Sequence, residues 1–172
     1  PCTSALEISD NVYVINSFSK YFAMTGWRIG WMVVPNSHVR LIERLAQNLF
    51  ICAPHISQVA ALGALKSISE AETLKGIYKI NRDLLLKALP KLGLELEAEP
   101  DGGFYLYLNV ASKTNNSLAL AQDILVNAGV AVTPGIDFDS KRGNTTLRVS
   151  FARGTDEISE GIDRLTRYFS EL

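Results

Sequence analysis

Apolar positions along the chain alternate between short unbroken runs, period-two stretches and stripes of period near 3.6, a pattern that predicts interleaved strands and helices. The runs Val12–Ile15 and Arg28–Val34, the second stopped by Pro35, predict two buried strands. From Asn36 the period changes. Leu41, Ile42, Leu45 and Leu49 fall on one helical face that Ala53-Pro54 should end, and a second helix is expected from Ile56 to Leu65. Ser69-Glu70-Ala71-Glu72 has capping-box spacing and opens a long stripe of Leu74, Ile77, Tyr78, Leu84, Leu85 and Leu89, running to Pro90 and Gly93. A helix of that length can bridge two lobes.

Beyond it, Leu94–Glu97 alternates, Pro100-Asp101-Gly102-Gly103 turns and Phe104–Leu108 returns, which predicts a hairpin. Ser117 is placed to cap a helix carrying Leu118, Ala121, Ile124 and Leu125, ended by Gly129 before a strand Val130–Val132. Residues Pro134–Asn144 read as irregular. Thr146–Phe151 reads as a strand with Leu147, Val149 and Phe151 on one face and Arg148 and Ser150 on the other. Thr155 is expected to cap a final helix with Ile158, Ile162, Leu165 and Phe169 inward. The fold class is α/β: the end of one lobe (1–70), a linking helix (71–92) and a small α/β lobe (93–172).

Composition narrows the functions available. The 172 residues are 47% hydrophobic and 20% charged, with 17 basic against 18 acidic side chains, so there is no positive field to draw a nucleic-acid backbone. The longest apolar run, Ile29–Val34, falls far short of the roughly 20 residues that cross a bilayer, so neither nucleic acid nor membrane is expected as a partner. Two cysteines and two histidines make neither a disulfide framework nor a zinc ligand set. Cys52 and His55, three apart with Pro54 between them, read as coincidence, and no metal is expected. Low cysteine usage suits a reducing cytosol, so a cytoplasmic location is expected. The first residue, Pro1, is neither an initiator Met nor the start of a signal segment, and the chain is expected to be part of something longer.

Candidate chemistry gathers where Ser17-Phe18-Ser19-Lys20 follows the first strand and Arg28 opens the next. Loops at strand ends collect ligands in α/β sheets, and hydroxyls, a guanidinium and glycine-freed amides suit an anion. Spacing alone favours a solvated connecting loop with a surface lysine. The longer string Ser17-Phe18-Ser19-Lys20-Tyr21-Phe22-Ala23-Met24-Thr25-Gly26-Trp27-Arg28-Ile29-Gly30-Trp31 resembles the cofactor-lysine segment of the class I/II aminotransferases, the fold-type-I enzymes that use pyridoxal 5′-phosphate. Further stretches match in order: Gln47-Asn48 through Gln58-Val59-Ala60-Ala61, Gly102-Gly103-Phe104-Tyr105, and Pro134-Gly135 followed by Leu147-Arg148-Val149-Ser150-Phe151-Ala152. The resemblance spans the whole chain but only the C-terminal half of the family's pattern.

The resemblance implies a fold made of the end of the family's large cofactor-binding domain plus its small C-terminal domain. It assigns Lys20 as the catalytic lysine that carries the cofactor as a Schiff base and shuttles a proton, which requires a primary amine that is partly neutral. It assigns Ser17 and Arg28 to the cofactor phosphate, with Arg28 also bearing on the Lys20 charge. Arg148 matches the arginine that clamps the substrate α-carboxylate, in keeping with its place opposite the apolar face of its strand. Small-molecule amino acids and 2-oxo acids are the implied partners, and a homodimer the implied state of the full-length protein. After Pro134-Gly135 many members carry Phe-Gly, whereas Phe138-Asp139 stands here.

The family residues that hold the cofactor ring lie upstream of the lysine. The isolated chain is therefore expected to form a compact C-terminal lobe without transamination, and residues 1–58 to be disordered, aggregation-prone or self-associated. Two other functions stay open: an inert fragment or interaction module, and a racemase, C–S lyase or decarboxylating enzyme reusing the lysine segment. Arg148 favours reactions that keep the carboxylate.

Overall fold

The computed structural model describes residues 3–171; the readings made at Pro1 and Cys2 lie outside them. Two compact units divide between Thr73 and Leu74, inside the long helix rather than at one of its ends.

In the first unit, β1 (Val14–Ser17) and β2 (Gly30–Val33) pair antiparallel, with Ser17 opposite Gly30 and Val14 opposite Val33. Helices α1 (Val39–Leu49) and α2 (His55–Ala64) follow. The expected burial of these strands does not hold: every residue of β2 is exposed, and Ile15 in β1 is 76% exposed. The apolar stripe of α1 is likewise open, with Leu41, Leu45 and Leu49 all exposed. Strand-forming residues supply pairing, but a two-stranded ribbon offers no opposing layer to cover them. What is buried is a small cluster of Phe18, Met24 and Ala61, joined by Phe22, Ile29, Ala60 and Ala64. The α1 helix ends at Leu49, ahead of Ala53-Pro54, because Ile51 turns into the left-handed region at φ 70°.

Helix α3 runs Ile68–Leu92 and contains Pro90, so the proline does not stop it. The stop comes from Gly93 at φ 62°, whose N–H bonds the Pro90 carbonyl while the Leu94 N–H bonds that of Leu89, a Schellman ending. At the other end the helix begins at Ile68, which places Ser69 inside its first turn rather than at its cap. Ser69 donates to Glu70 instead, and Glu72 accepts from Tyr21 Oη at 2.6 Å. That hydrogen bond to a carboxylate holds the Tyr21 hydroxyl above its ordinary titration range.

The second unit carries a four-stranded antiparallel sheet in the order β3 (Glu95–Leu96), β4 (Tyr105–Asn109), β6 (Thr146–Ser150), β5 (Thr133–Pro134). The expected hairpin is β3–β4, with Leu96 opposite Leu108. The strand expected at Val130–Val132 lies just beyond it, at Thr133–Pro134, since Val130 and Val132 are taken up in packing against the core. One face of the sheet presents Leu106, Leu108, Leu147 and Val149 to α3, α4 (Ser117–Asn127) and α5 (Thr155–Ser170). These helices contribute Leu85, Leu89, Leu92, Ile124, Leu165 and Phe169. At ~25 cal/mol per Å² of apolar area, this one layer is the main source of the unit's stability.

Both helix starts fall one residue earlier than expected. Asn116, not Ser117, caps α4 by accepting the Ala119 N–H, and Gly154, not Thr155, precedes α5, its N–H bonded to the Glu157 carboxylate. Asn81 is buried within the α3 stripe and donates to the carbonyls of Phe151 and Arg153 at 3.0 and 2.8 Å, fixing the chain as it leaves β6.

Helix α5 is tied to α4 by the hydroxyl of Tyr168, which donates to Asp123. Burial, then that acceptor, push Tyr168 from 10.0 up to about 12. The unfolded chain thus releases this proton first, so the contribution is whole below pH 10 and disappears as pH rises toward 12. Unfolding titrations across that window should show stability falling less steeply in Tyr168→Phe than in the wild-type chain; equal slopes would remove Tyr168 from the account.

Candidate active-site residues

In the first unit the candidate residues belong to one loop between paired strands. The Phe18 N–H bonds the Ile29 carbonyl at 3.2 Å and the Met24 N–H bonds that of Phe18 at 3.3 Å, so the loop closes on the ends of β1 and β2. Its apolar residues Phe18 and Met24 are buried and anchor it, which leaves Ser17, Lys20 and Arg28 exposed. Aromatic edges complete the anchor, with Phe18 5.0 Å from both Phe22 and Trp31. The tight path forces Ala23 to φ 54° and Arg28 to φ 50°. Non-glycine residues in that region cost about 1–3 kcal/mol each and persist where the surrounding structure over-determines them.

Polar atoms are ordered there. Ser17 Oγ donates to Ser19 Oγ at 2.9 Å and accepts the Ser19 N–H at 3.0 Å, and Arg28 Nη1 donates to the Thr25 carbonyl at 2.8 Å. Two hydroxyls and a guanidinium with donors to spare are the chemistry an anionic phosphate needs, and the lysine on the same loop supplies a primary amine. The donor set fits a phosphate-bearing aldehyde cofactor.

In the second unit Arg148 stands in β6 between Tyr107 of β4 and Thr133 of β5, each its direct cross-strand partner. Alternation puts these three opposite the apolar face, which for Arg148 is the expected place. The guanidinium is half-buried, reaches Thr133 Oγ1 at a long 3.4 Å, and lies 5.2 Å from the Tyr105 ring centroid and 4.4 Å from that of Phe138. No carboxylate pairs with it among the described residues. A planar cation with unspent donors is suited to an incoming carboxylate.

The loop after β5 folds over the same face. Thr146 is fully buried, and its hydroxyl donates to Tyr107 Oη at 2.8 Å. This closeness requires Gly135 and Gly143 to touch backbone to backbone: a Cβ on Gly143 would stand 2.5 Å from the Gly135 carbonyl oxygen. Asp139 organises the rest, accepting N–H groups of Lys141 and Arg142 at 2.8 and 3.0 Å and Arg142 Nε at 3.0 Å. These bonds, the Arg142 backbone N–H foremost, hold its carboxyl below the usual aspartate range.

The family model of the class I and II aminotransferases matches residues 3–165. The chain belongs to that family. It is 45% identical to a valine–pyruvate aminotransferase of Mycobacterium tuberculosis over 96% of its own length and 43% of that enzyme's. It is 38% identical to a (5-formylfuran-3-yl)methyl phosphate transaminase of Methanocaldococcus jannaschii, over 99% of the chain and 46% of the relative. Among solved structures, a candidate aminotransferase of Silicibacter pomeroyi superposes with a TM-score of 0.96 at 57% identity, over 99% of this chain and 46% of that one. An aminotransferase of Mycobacterium tuberculosis superposes at 0.95 and 42%, over 100% and 45%. The chain thus spans less than half the length of these relatives, as a C-terminal half of a class I/II aminotransferase does, and its α/β fold is that of the family's C-terminal part.

Sequence reasoning missed Phe138 as a neighbour of Arg148, and Asn81. The second had a visible signal, a lone amide on the core side of an otherwise apolar stripe. The first had none, because the ring and guanidinium meet only once the loop folds back on β6.

The glycine contact is open to a direct check. Gly143→Ala should cost about 1–3 kcal/mol in urea unfolding, the scale of overpacking against backbone. Gly102→Ala, whose Cβ would meet nothing within 4 Å, should stay within about 0.5 kcal/mol of wild type.

Proposed function

We propose that the protein carrying this chain is a pyridoxal-phosphate-dependent aminotransferase, moving an amino group from an amino acid to a 2-oxo acid. The observation that carries the reading is the closed loop anchored by Phe18 and Met24, which leaves a hydroxyl, a primary amine and a guanidinium outside. Membership of the family supports it. In this reading Ser17 and Arg28 bind the cofactor's phosphate, the first by its hydroxyl and the second by charge and directed N–H donors. Lys20 would hold the cofactor covalently until the substrate's amine displaces it, and its freed Nζ would then take the proton from the substrate α-carbon and deliver it to the cofactor rather than back to that carbon. Bound pyridoxal phosphate supplies the electron sink that makes that proton labile. Arg148 receives the α-carboxylate with two parallel N–H donors.

For the isolated chain a second reading is favoured by its open apolar surface. Leu41, Leu45, Leu49, Phe50 and Ile51 are all exposed, and Leu49 alone is 69% so. Such a patch marks a surface built to be covered. The isolated chain is then a folded piece without turnover of its own.

Borohydride reduction of the full-length holoprotein followed by peptide mapping tests the first reading. The cofactor should be found on Lys20; a label on another lysine, or none, would overturn the assignment.

A further inference from the structure

Resting on the reading of Arg148 as the carboxylate clamp, we propose that Phe138 is a positioning residue for that clamp. Its ring holds the guanidinium face so that the N–H edge stays presented to an incoming carboxylate. The departure from the common Phe-Gly sequence, Asp139, holds the loop that carries it.

Three observations support the proposal. First, Arg148 has little else to fix it: its one hydrogen bond among the described residues, to Thr133 Oγ1, is 3.4 Å long, and it has no ion-pair partner there. A bond of that length is too weak to hold a flexible arginine in a single orientation.

Second, two aromatic rings lie against the guanidinium at distances that leave room for a carboxylate. Phe138 lies 4.4 Å and Tyr105 5.2 Å from Arg148 Cζ, both within cation–π range. Stacking takes the π-face, whereas bidentate recognition takes N–H groups in the plane, so the two coexist.

Third, Phe138 is 53% exposed, so burial does not account for its position. Its backbone is instead fixed from both sides. The N–H groups of Phe138 and Asp139 bond the Gly135 carbonyl at 2.9 and 3.0 Å, and the Gly143 N–H bonds the Asp139 carbonyl at 2.8 Å. The Asp139 side chain gathers Lys141 and Arg142, and Arg142 reaches on to Glu97 at 3.4 Å, which ties the loop to the residue after β3. An exposed ring on an anchored loop, laid against a cation without a counter-ion among the described residues, is an arrangement for holding that cation still.

The test titrates the full-length holoenzyme with pyruvate and with pyruvamide, which has the same skeleton without the carboxylate. The ratio of the two affinities reports carboxylate recognition and is insensitive to general loosening of the pocket. In Phe138→Leu, which keeps an apolar side chain but no ring, the ratio should fall about three- to tenfold through weaker pyruvate binding alone, the scale of a cation–π contact. Phe138→Tyr should restore it to within about twofold. Arg148→Leu should remove the preference for pyruvate. If Arg148→Leu abolishes the preference while Phe138→Leu retains it, or if Phe138→Leu weakens both ligands equally, the positioning role is overturned and the carboxylate clamp stands. If Arg148→Leu keeps the preference, the clamp itself fails and the proposal with it.

Discussion

The second unit depends on the register of a single strand pair, β4 with β6. Tyr107 faces Arg148 and Leu108 faces Leu147, so alternation sends Leu106, Leu108, Leu147 and Val149 into the core and leaves Tyr107, Thr146 and Arg148 on the opposite face. A slip by one residue would bury the guanidinium and expose the leucines, a loss of several kcal/mol on each side of the sheet. The core therefore fixes where the candidate residue Arg148 stands. Three helices packed on one face leave the other free for chemistry, and the 135–145 loop with its two touching glycines narrows what can approach it.

The first unit is built on a different constraint. Its buried cluster is small, and most of its strand and helix side chains are exposed. What is ordered is the loop from Ser17 to Arg28, closed by two backbone hydrogen bonds and anchored by aromatic packing at the cost of two left-handed residues. Strain concentrated in a loop that carries a hydroxyl, an amine and a guanidinium is what a preorganised anion site requires, since the conformational cost is met before a ligand arrives.

Much of this was legible in the sequence, and what was not has physical causes. The polar placement of Arg148 followed from period-two alternation, and the helices of the second unit from their stripes, because both patterns record burial on one face. The same hydropathy misled at β1 and β2. It records which side chains would be buried against another layer, and among the described residues that layer is absent. Cap positions moved by one residue because Asn116 accepts the Ala119 N–H in place of Ser117, and Glu157 reaches back to the Gly154 N–H, one residue before Thr155. Asn81 and Phe138 act across 70 and 10 positions of chain respectively, to Phe151 and Arg148, and local pattern carries no record of such contacts. The roles of Ser17, Lys20 and Arg28 came from resemblance to a family and not from spacing.

In the proposed function, the polar face of β6 recognises a carboxylate for amino-group transfer. The most direct measurement is steady-state transamination by the full-length protein with an amino acid and with the corresponding amine lacking its carboxylate, in wild type and Arg148→Leu. The account predicts that the substitution lowers kcat/KM for the amino acid by about 10- to 100-fold, the scale of lost charge-assisted hydrogen bonds, and leaves the amine unchanged. An amino-acid preference that survives the loss of Arg148 would contradict it.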